Sequence, residues 1–407
     1  MTRFAIGLLL LAAASTAAPS PAAEARRLCL GRPVTVVGTS GSDRLVGSSG
    51  PDVILGLGGR DAIDGGGGDD RICGGRGVDR IRGDDGDDRL LGGRRGDTID
   101  GDDGDDAITG GPGPDLCFQG PGSGHVARCA PVVAAAGDIA CDPASPTFGG
   151  GAGTPTACRM RATSNLLLRT NPAAVLALGD LQYPNGSLDR FLASYDPSWG
   201  RAQAITRPAP GNHEYQTSAA AGFFAYFGRA AGNPAEGWYG FDLGGWRVMA
   251  LNSECAQVGG CGPGSSQLAW VEADLAAHPA ACTLAYWHRP RFTSSADHTG
   301  DPAYEPLWEA LDAAGAELVL NGHAHVYERF APQTPGGAPD PAGIREFVVG
   351  TGGKDLTGFA APAPNSEVRQ AESFGILEVA LGRGRYGWRF VPVEGSSFTD
   401  EGSARCH

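Results

Sequence analysis

The chain has 407 residues, enough for two or three domains and at least one large core. Its 46 acidic and 32 basic residues leave a formal charge of −14, and no basic stripe offsets it, which argues against nucleic acid as a partner. Hydrophobic residues make up 41% of the chain, and no apolar stretch beyond the first residues reaches transmembrane length.

The chain opens "MTRFAIGLLLLAAASTAAPSPAAEA", with a positive residue at Arg3, an apolar stretch from Phe4 to Ala14, and small residues around Ala17 and Ala23. That pattern predicts a secretory signal peptide over residues 1–25, since the apolar stretch is too short to span a bilayer. The protein is therefore expected to be secreted, with no transmembrane anchor. Ten cysteines, an even number, fit an oxidising compartment and predict disulfides, with Cys255 and Cys261 the easiest pair to join. No Cys-x-x-Cys pair supports zinc instead.

From Gly38 to Phe118 the sequence repeats every nine residues, in segments such as "GSSGPDVIL", "GGGGDDRIC" and "GDDGDDAIT". Each segment opens with glycine. Aspartates recur at Asp43, Asp52, Asp61, Asp70, Asp79, Asp88, Asp97, Asp106 and Asp115, and an apolar residue or Cys117 follows two positions later. Glycine turns the chain tightly, aspartate and turn carbonyls supply hard oxygen ligands, and one apolar side chain per segment stacks into a thin core. The expectation is a parallel β-roll over residues 26–128, held by calcium ions on those nine aspartates. The repeats resemble the haemolysin-type, or repeats-in-toxin, calcium-binding family. In "GGRRGDTID", Arg95 replaces a glycine, which puts the sites flanking Asp97 in question. The segment holds eighteen aspartates and nine arginines, so most of the acidic excess is a set of candidate cation ligands.

The boundary is placed in "GPGSGHVARCAP", after which short apolar runs alternate with helix-like segments and predict an α/β unit over residues 129–407. In "SSQLAWVEADLAAH", Ser265 or Ser266 would cap a helix presenting Leu268, Val271 and Leu275 on one face. Five apolar runs end in side chains able to bind metal. They lead to Asp138, to Asp180 and Tyr183, to Asn212 and His213, to His288, and to His323 and His325. Ligand sites of α/β sheets lie outside the carboxyl ends of strands, so five such endings point to one site. Carboxylate and tyrosinate suit a hard, highly charged ion, whereas imidazole and amide oxygen suit a softer divalent one.

The ordered set GDIA, GDLQY, GNHE, a histidine after a strand, and GHAH resembles the calcineurin-like metallophosphoesterase superfamily, and within it the purple acid phosphatase branch. The resemblance implies an α/β (α+β) fold in which a two-sheet β-sandwich is flanked by helices, with a dinuclear centre at one edge. It implies ferric iron on Asp138, Tyr183 and His325, a bridging Asp180, and iron, zinc or manganese on Asn212, His288 and His323. His213 would hold phosphate and protonate the leaving alkoxide, and His298 resembles a second histidine on the substrate side. Ala140 stands where many superfamily relatives place a metal-binding histidine, which agrees with Tyr183 serving as ligand.

The activity implied is hydrolysis of phosphomonoesters by water activated on the metals. A phosphodiesterase or nucleotidase using the same centre is the rival within the enzymes. The rival outside them is a catalytically dead calcium-dependent adhesion or matrix protein, attached to a cell surface or matrix through the repeats.

Overall fold

The computed structural model describes residues 27–407, so the signal-peptide expectation lies outside the described residues. Among these residues no helix is long and apolar enough to cross a membrane.

The repeats wind into a parallel β-roll of two facing sheets. One contains Arg44–Val46, Ala62–Asp64, Arg80–Asp85, Thr98–Asp103 and Leu116–Phe118. The other contains Val36–Val37, Val53–Gly59, Arg71–Gly77, Arg89–Arg94, Ala107–Thr109 and His125–Ala127. Ile63 pairs with Ile81, Ile81 with Ile99, and Ile99 with Cys117, so each full turn consumes two nonapeptides. Between the sheets, Ile54, Ile63, Ile72, Ile81, Leu90, Ile99, Ile108 and Cys117 form a single buried column. Full burial of each isoleucine contributes about 1.5–3 kcal/mol, which a column one residue wide repeats but cannot deepen.

The stretch in which the boundary is placed contributes the last roll strand. His125–Ala127 pairs in parallel with Ala107–Thr109, with Val126 opposite Ile108, although Val126 itself stays exposed. Cys117–Cys129 closes this end of the roll, and Cys29–Cys73 ties the short hairpin of Leu28–Cys29 and Arg32–Pro33 to the roll strand Arg71–Gly77. Arg95 adopts the left-handed backbone, φ +85°, that Gly59, Gly68, Gly86 and Gly104 adopt at the same repeat position. The turn around Asp97 is therefore kept at the cost of a strained non-glycine residue.

The remaining residues form two packed sheets. The first runs in the order Thr206–Ala209, Ala174–Leu178, Val132–Ala136, Gly375–Gly382, Arg385–Pro392, Glu401–Arg405, and its first three strands are parallel. In the second, Trp246–Ala250, Thr283–Tyr286, Leu318–Asn321 and Arg345–Val349 are successive parallel strands. "VVAAA" and "AVLAL" are apolar throughout, as strands covered on both faces must be. The helix Ser266–Ala277 is capped by Ser265, whose hydroxyl accepts from Leu268 N at 3.2 Å; Leu268 and Val271 are buried and Leu275 partly so.

The carboxyl ends of the two sheets are stitched together. Gly137 N donates to Val349 O (2.9 Å) and Gly352 N donates to Gly137 O (2.9 Å). Parallel strands from both sheets thus deliver their terminal loops to one edge of the sandwich. Cys141–Cys158, Cys255–Cys261 and Cys282–Cys406 complete five disulfides, including the pair expected from sequence.

Candidate metal centre and candidate calcium sites

Three of the strand-end side chains make one half of a cluster. The Tyr183 hydroxyl lies 2.8 Å from Asp138 Oδ1 and 3.0 Å from His325 Nε2, which is itself 3.2 Å from Asp138 Oδ1. In the other half, His288 Nε2 lies 3.1 Å from Asp180 Oδ2 and 3.2 Å from His323 Nδ1. Ligand atoms of Asp180, His288 and His323 all fall within 4.8 Å of one another. Asp180 Oδ2 joins the halves, because the Tyr183 hydroxyl is 3.1 Å from it.

The backbone makes this crowding possible. Asp138, Asp180 and His323 have φ of +59°, +49° and +69°, left-handed values that a folded chain retains only where its surroundings enforce them. Gly211 precedes Asn212 because an added β-carbon would run into Asp180 Oδ1. His288 Nδ1 donates to Leu178 O (2.9 Å), His213 Nδ1 donates to Pro184 O (2.6 Å), and His325 Nδ1 donates to Asp355. Each ring is thereby oriented with Nε2 toward the cluster.

His213 Nε2 is 3.8 Å from Asp180 Oδ2, and its ring lies 4.2 Å from that of Tyr183. The His298 ring lies 4.0 Å from that of His323 and 6.4 Å from that of His325. Both therefore border the cluster. Asn212 Oδ1 is buried without a hydrogen-bond partner.

Charges without an ion are arranged awkwardly. Burial, then Asp138 and Asp180, push the Tyr183 phenol far above its usual range. Burial lowers His288, but Asp180 and Asp138 outweigh it and raise the imidazole to about 9. His325 rises in the same way to about 10, against burial, through Asp138 and Asp355. Burial, then His288 and Arg289, push His323 far down. Protons on imidazoles thus balance buried carboxylates, the balance a cation would supply instead. With the unpartnered Asn212 oxygen and the mixed carboxylate, phenol, amide and imidazole donors, these residues fit a pair of metal ions.

Two residues that the sequence did not single out complete the site. Glu214 is wholly buried, and its Oε2 accepts from Asp180 N (2.9 Å) and Gly211 N (2.8 Å). Its Oε1 accepts from Leu181 N (2.9 Å) and Gln182 N (3.3 Å). One carboxylate thus splices the GDLQY loop to the GNHE loop. The signal was present in the glutamate of GNHE. Asp355, which fixes His325, comes from a loop thirty residues onward and no motif marks it.

The repeat aspartates follow a rule of their own. Oδ1 of Asp61, Asp70, Asp79, Asp88, Asp97, Asp106 and Asp115 each accepts the main-chain N–H of the aspartate 18 residues earlier, at 2.7–3.0 Å. In Asp61, Asp70, Asp79, Asp88, Asp97 and Asp115, Oδ2 is buried without a hydrogen-bond partner. A β-carbon added at Gly74 would sit 2.6 Å from Gly92 O and 2.7 Å from Asp79 Oδ2, so carboxylate and carbonyl oxygens converge beside a glycine cradle. That donor set fits calcium. Three aspartates differ: Asp43 Oδ2 takes Thr39 N, Asp52 Oδ2 takes Ser48 N, and Asp106 Oδ2 takes Gln119 Nε2.

Burial raises the carboxyls of Asp70 and Asp106 to about 6, Asp88 to about 7 and Asp97 to about 8. A raised acid contributes stability that is full below its unfolded value near 3.8 and is lost as pH rises through the folded value. Without calcium, the roll is expected to hold more structure at pH 5 than at pH 8, and calcium should remove most of that difference. Far-UV circular dichroism in chelator and in calcium checks both.

Residues 37–72, 47–81, 70–94 and 82–117 match the RTX calcium-binding nonapeptide repeat, and residues 133–327 match the calcineurin-like phosphoesterase family. Curated relatives include purple acid phosphatase 15 of Arabidopsis thaliana, 29% identical over 227 residues, covering 47% of this chain and 42% of that protein. Purple acid phosphatase 21 of the same plant is 29% identical over 268 residues, covering 56% and 58% respectively. The uncharacterized protein Rv2577 of Mycobacterium tuberculosis is 27% identical over 248 residues, covering 49% and 46%. The chain thus spans about half the length of the curated relatives it matches. Among solved structures, the purple acid phosphatase PPD1 from yellow lupin seeds shares the fold with a TM-score of 0.56 at 20% identity, over 68% of this chain and 54% of that one. Fold, strand-end cluster and sequence matches together identify a calcineurin-like phosphoesterase domain preceded by RTX calcium-binding nonapeptide repeats.

Proposed function

We propose that this chain is a secreted phosphatase of the purple acid type, hydrolysing phosphomonoesters at a dinuclear centre in residues 129–407, with a calcium-binding roll in residues 26–128. Asp138, Tyr183 and His325 would hold ferric iron, Asn212, His288 and His323 would hold iron, zinc or manganese, and Asp180 would bridge. The observation that carries the reading is the position of Asp180 Oδ2, 3.1 Å from both the Tyr183 hydroxyl and His288 Nε2. When bound, the two ions supply Lewis acidity to phosphoryl oxygens and acidify a water molecule.

The chain's own groups do the rest. Asp180 is fixed through its other oxygen, which accepts His213 N at 2.8 Å, and through its own N–H on Glu214. His213, with Nδ1–H held by Pro184 O, presents Nε2 as the atom that hands a proton to the departing alkoxide. His298 stands on the face of His323 at a pocket of about 320 Å³ that also contains Arg289 and Asp301, room for a small leaving group.

The test compares an aryl phosphate monoester with the corresponding diester, using the full chain with calcium present and across pH. Faster monoester turnover is expected. Turnover of the diester alone would shift the assignment to a phosphodiesterase or nucleotidase. If folded, metal-loaded protein turns over neither ester, the enzyme reading fails and the adhesion or matrix reading replaces it.

A further inference from the structure

The roll and the phosphoesterase domain meet at the strand Arg385–Pro392. Arg389 is buried there, with Nη1 on Asp100 Oδ1 and 3.3 Å from Asp102 Oδ1, and Nη2 3.2 Å from Glu378 Oε2. Arg385 donates to Gly96 O (2.6 Å) and to Thr98 Oγ1 (3.1 Å). On the neighbouring strand, Glu401 receives both Arg80 and Arg82. Leu116 and Phe118 of the roll pack on Ala380.

These anchor points fall on the candidate calcium sites. Gly96 and Thr98 bracket Asp97, whose Oδ2 is buried and unpartnered. Asp100 and Asp102 bracket Gly101, where an added β-carbon would lie 2.6 Å from Gln119 O and run into Asp106 Oδ2. On the opposite side of Arg389, Glu378 is paired in register with Ala134 of the strand Val132–Ala136, which leads into Asp138. If the turns near Asp97 and Gly101 loosened, Arg389 would keep Glu378 but lose Asp100 and Asp102, leaving buried guanidinium N–H groups without acceptors, a costly arrangement.

We infer that calcium held in the roll is coupled to the fold of the phosphoesterase domain through the Arg389 cluster, so that ordering the turns around Asp97 and Gly101 stiffens the sheet that carries Asp138. The roll acts as a splint against the domain. The coupling rests on the calcium reading of the repeats and is independent of turnover. By linkage, it must act in both directions: weakening the docked sheet lowers the apparent calcium affinity of the roll.

Tryptophan fluorescence separates the two parts, since the seven tryptophans, Trp199, Trp238, Trp246, Trp270, Trp287, Trp308 and Trp388, all lie outside the repeats. The experiment follows thermal unfolding of the full chain by tryptophan fluorescence and by far-UV dichroism, with and without millimolar calcium. Elemental analysis verifies that the metal content of the phosphoesterase centre is the same in both samples. Calcium should raise the tryptophan midpoint of the unsubstituted protein by about 5 °C or more. In Arg389→Met this shift should fall to less than half while calcium still orders the roll. Glu401→Gln, at a more exposed contact, should fold readily and lose a smaller part of the shift. A tryptophan midpoint indifferent to calcium while the dichroism responds would overturn the inference, whatever either variant does. So would a full shift retained in both Arg389→Met and Glu401→Gln, because calcium would then act without the cluster.

Discussion

Asp180→Asn is expected to lower turnover of an aryl phosphate by ~10³-fold or more, with far-UV dichroism unchanged. Asparagine is the informative replacement because it keeps the shape of the side chain and tolerates the left-handed backbone that Asp180 adopts, φ +49°. What it removes is the charge of Oδ2, the oxygen within 3.1 Å of both Tyr183 and His288. In the ion-free protein burial raises the Asp180 carboxyl, but His288 and His213 outweigh it and hold the group below the usual carboxylate range. The neutral variant should therefore also bind fewer than two metal ions per chain, read by elemental analysis. Full metal content with undiminished turnover would remove Asp180 from the centre and with it the bridging assignment.

Glu214→Gln should lower the thermal midpoint by about 5–10 °C and turnover by about 10–100-fold. Glutamate accepts four main-chain N–H groups with two oxygens. Glutamine offers one oxygen, and its amide directs N–H groups at two of those donors, which leaves buried donors unsatisfied. Burial and the adjacent Asp180 push the Glu214 carboxyl up to about 8. For an acid raised in the folded state, the stability contributed is full below its ordinary value of 4.5 and lost as pH rises through 8. Ion-free protein should consequently lose stability progressively between about pH 5 and pH 8, and the glutamine variant, which cannot ionise, should lose less over that range. Differential scanning calorimetry at several pH values measures both effects. A variant with unchanged midpoint and turnover would show that Glu214 does not splice the two loops.

The residues named from sequence were those whose chemistry is local. The nine-residue period made the roll legible, because repeating glycine, aspartate and isoleucine encode turn, ligand and core within a single segment. Asp138, Asp180, His288 and His323 were legible because each follows an apolar run, and parallel strands of one sheet end on one side. The pairing of Ile63 with Ile81 was not, since sequence alone does not say whether a nonapeptide makes a whole turn or half of one. Nor was the role of His125–Ala127, whose glycine-rich approach hides a strand that exists only because Ala107–Thr109 offers it an edge. Asp355 and Arg389 lie outside every motif. Their partners, His325 and Asp100, are distant in sequence, and only the closed fold makes them neighbours.

Because two nonapeptides complete one turn, the roll has parity. Its aspartates bind along the stack 18 residues apart, so odd and even segments build opposite walls. The wall carrying Asp100 and Asp102 faces Arg389, and the other faces away. Segments removed upstream of this contact, one or two alike, leave the same wall toward the sandwich. Losing a single segment between Thr98–Asp103 and Val132–Ala136 would exchange the walls and present Arg389 with the wrong one. Lengths of the stretch between this contact and the sandwich are therefore quantised, and insertions tolerated there should come in even numbers of repeats.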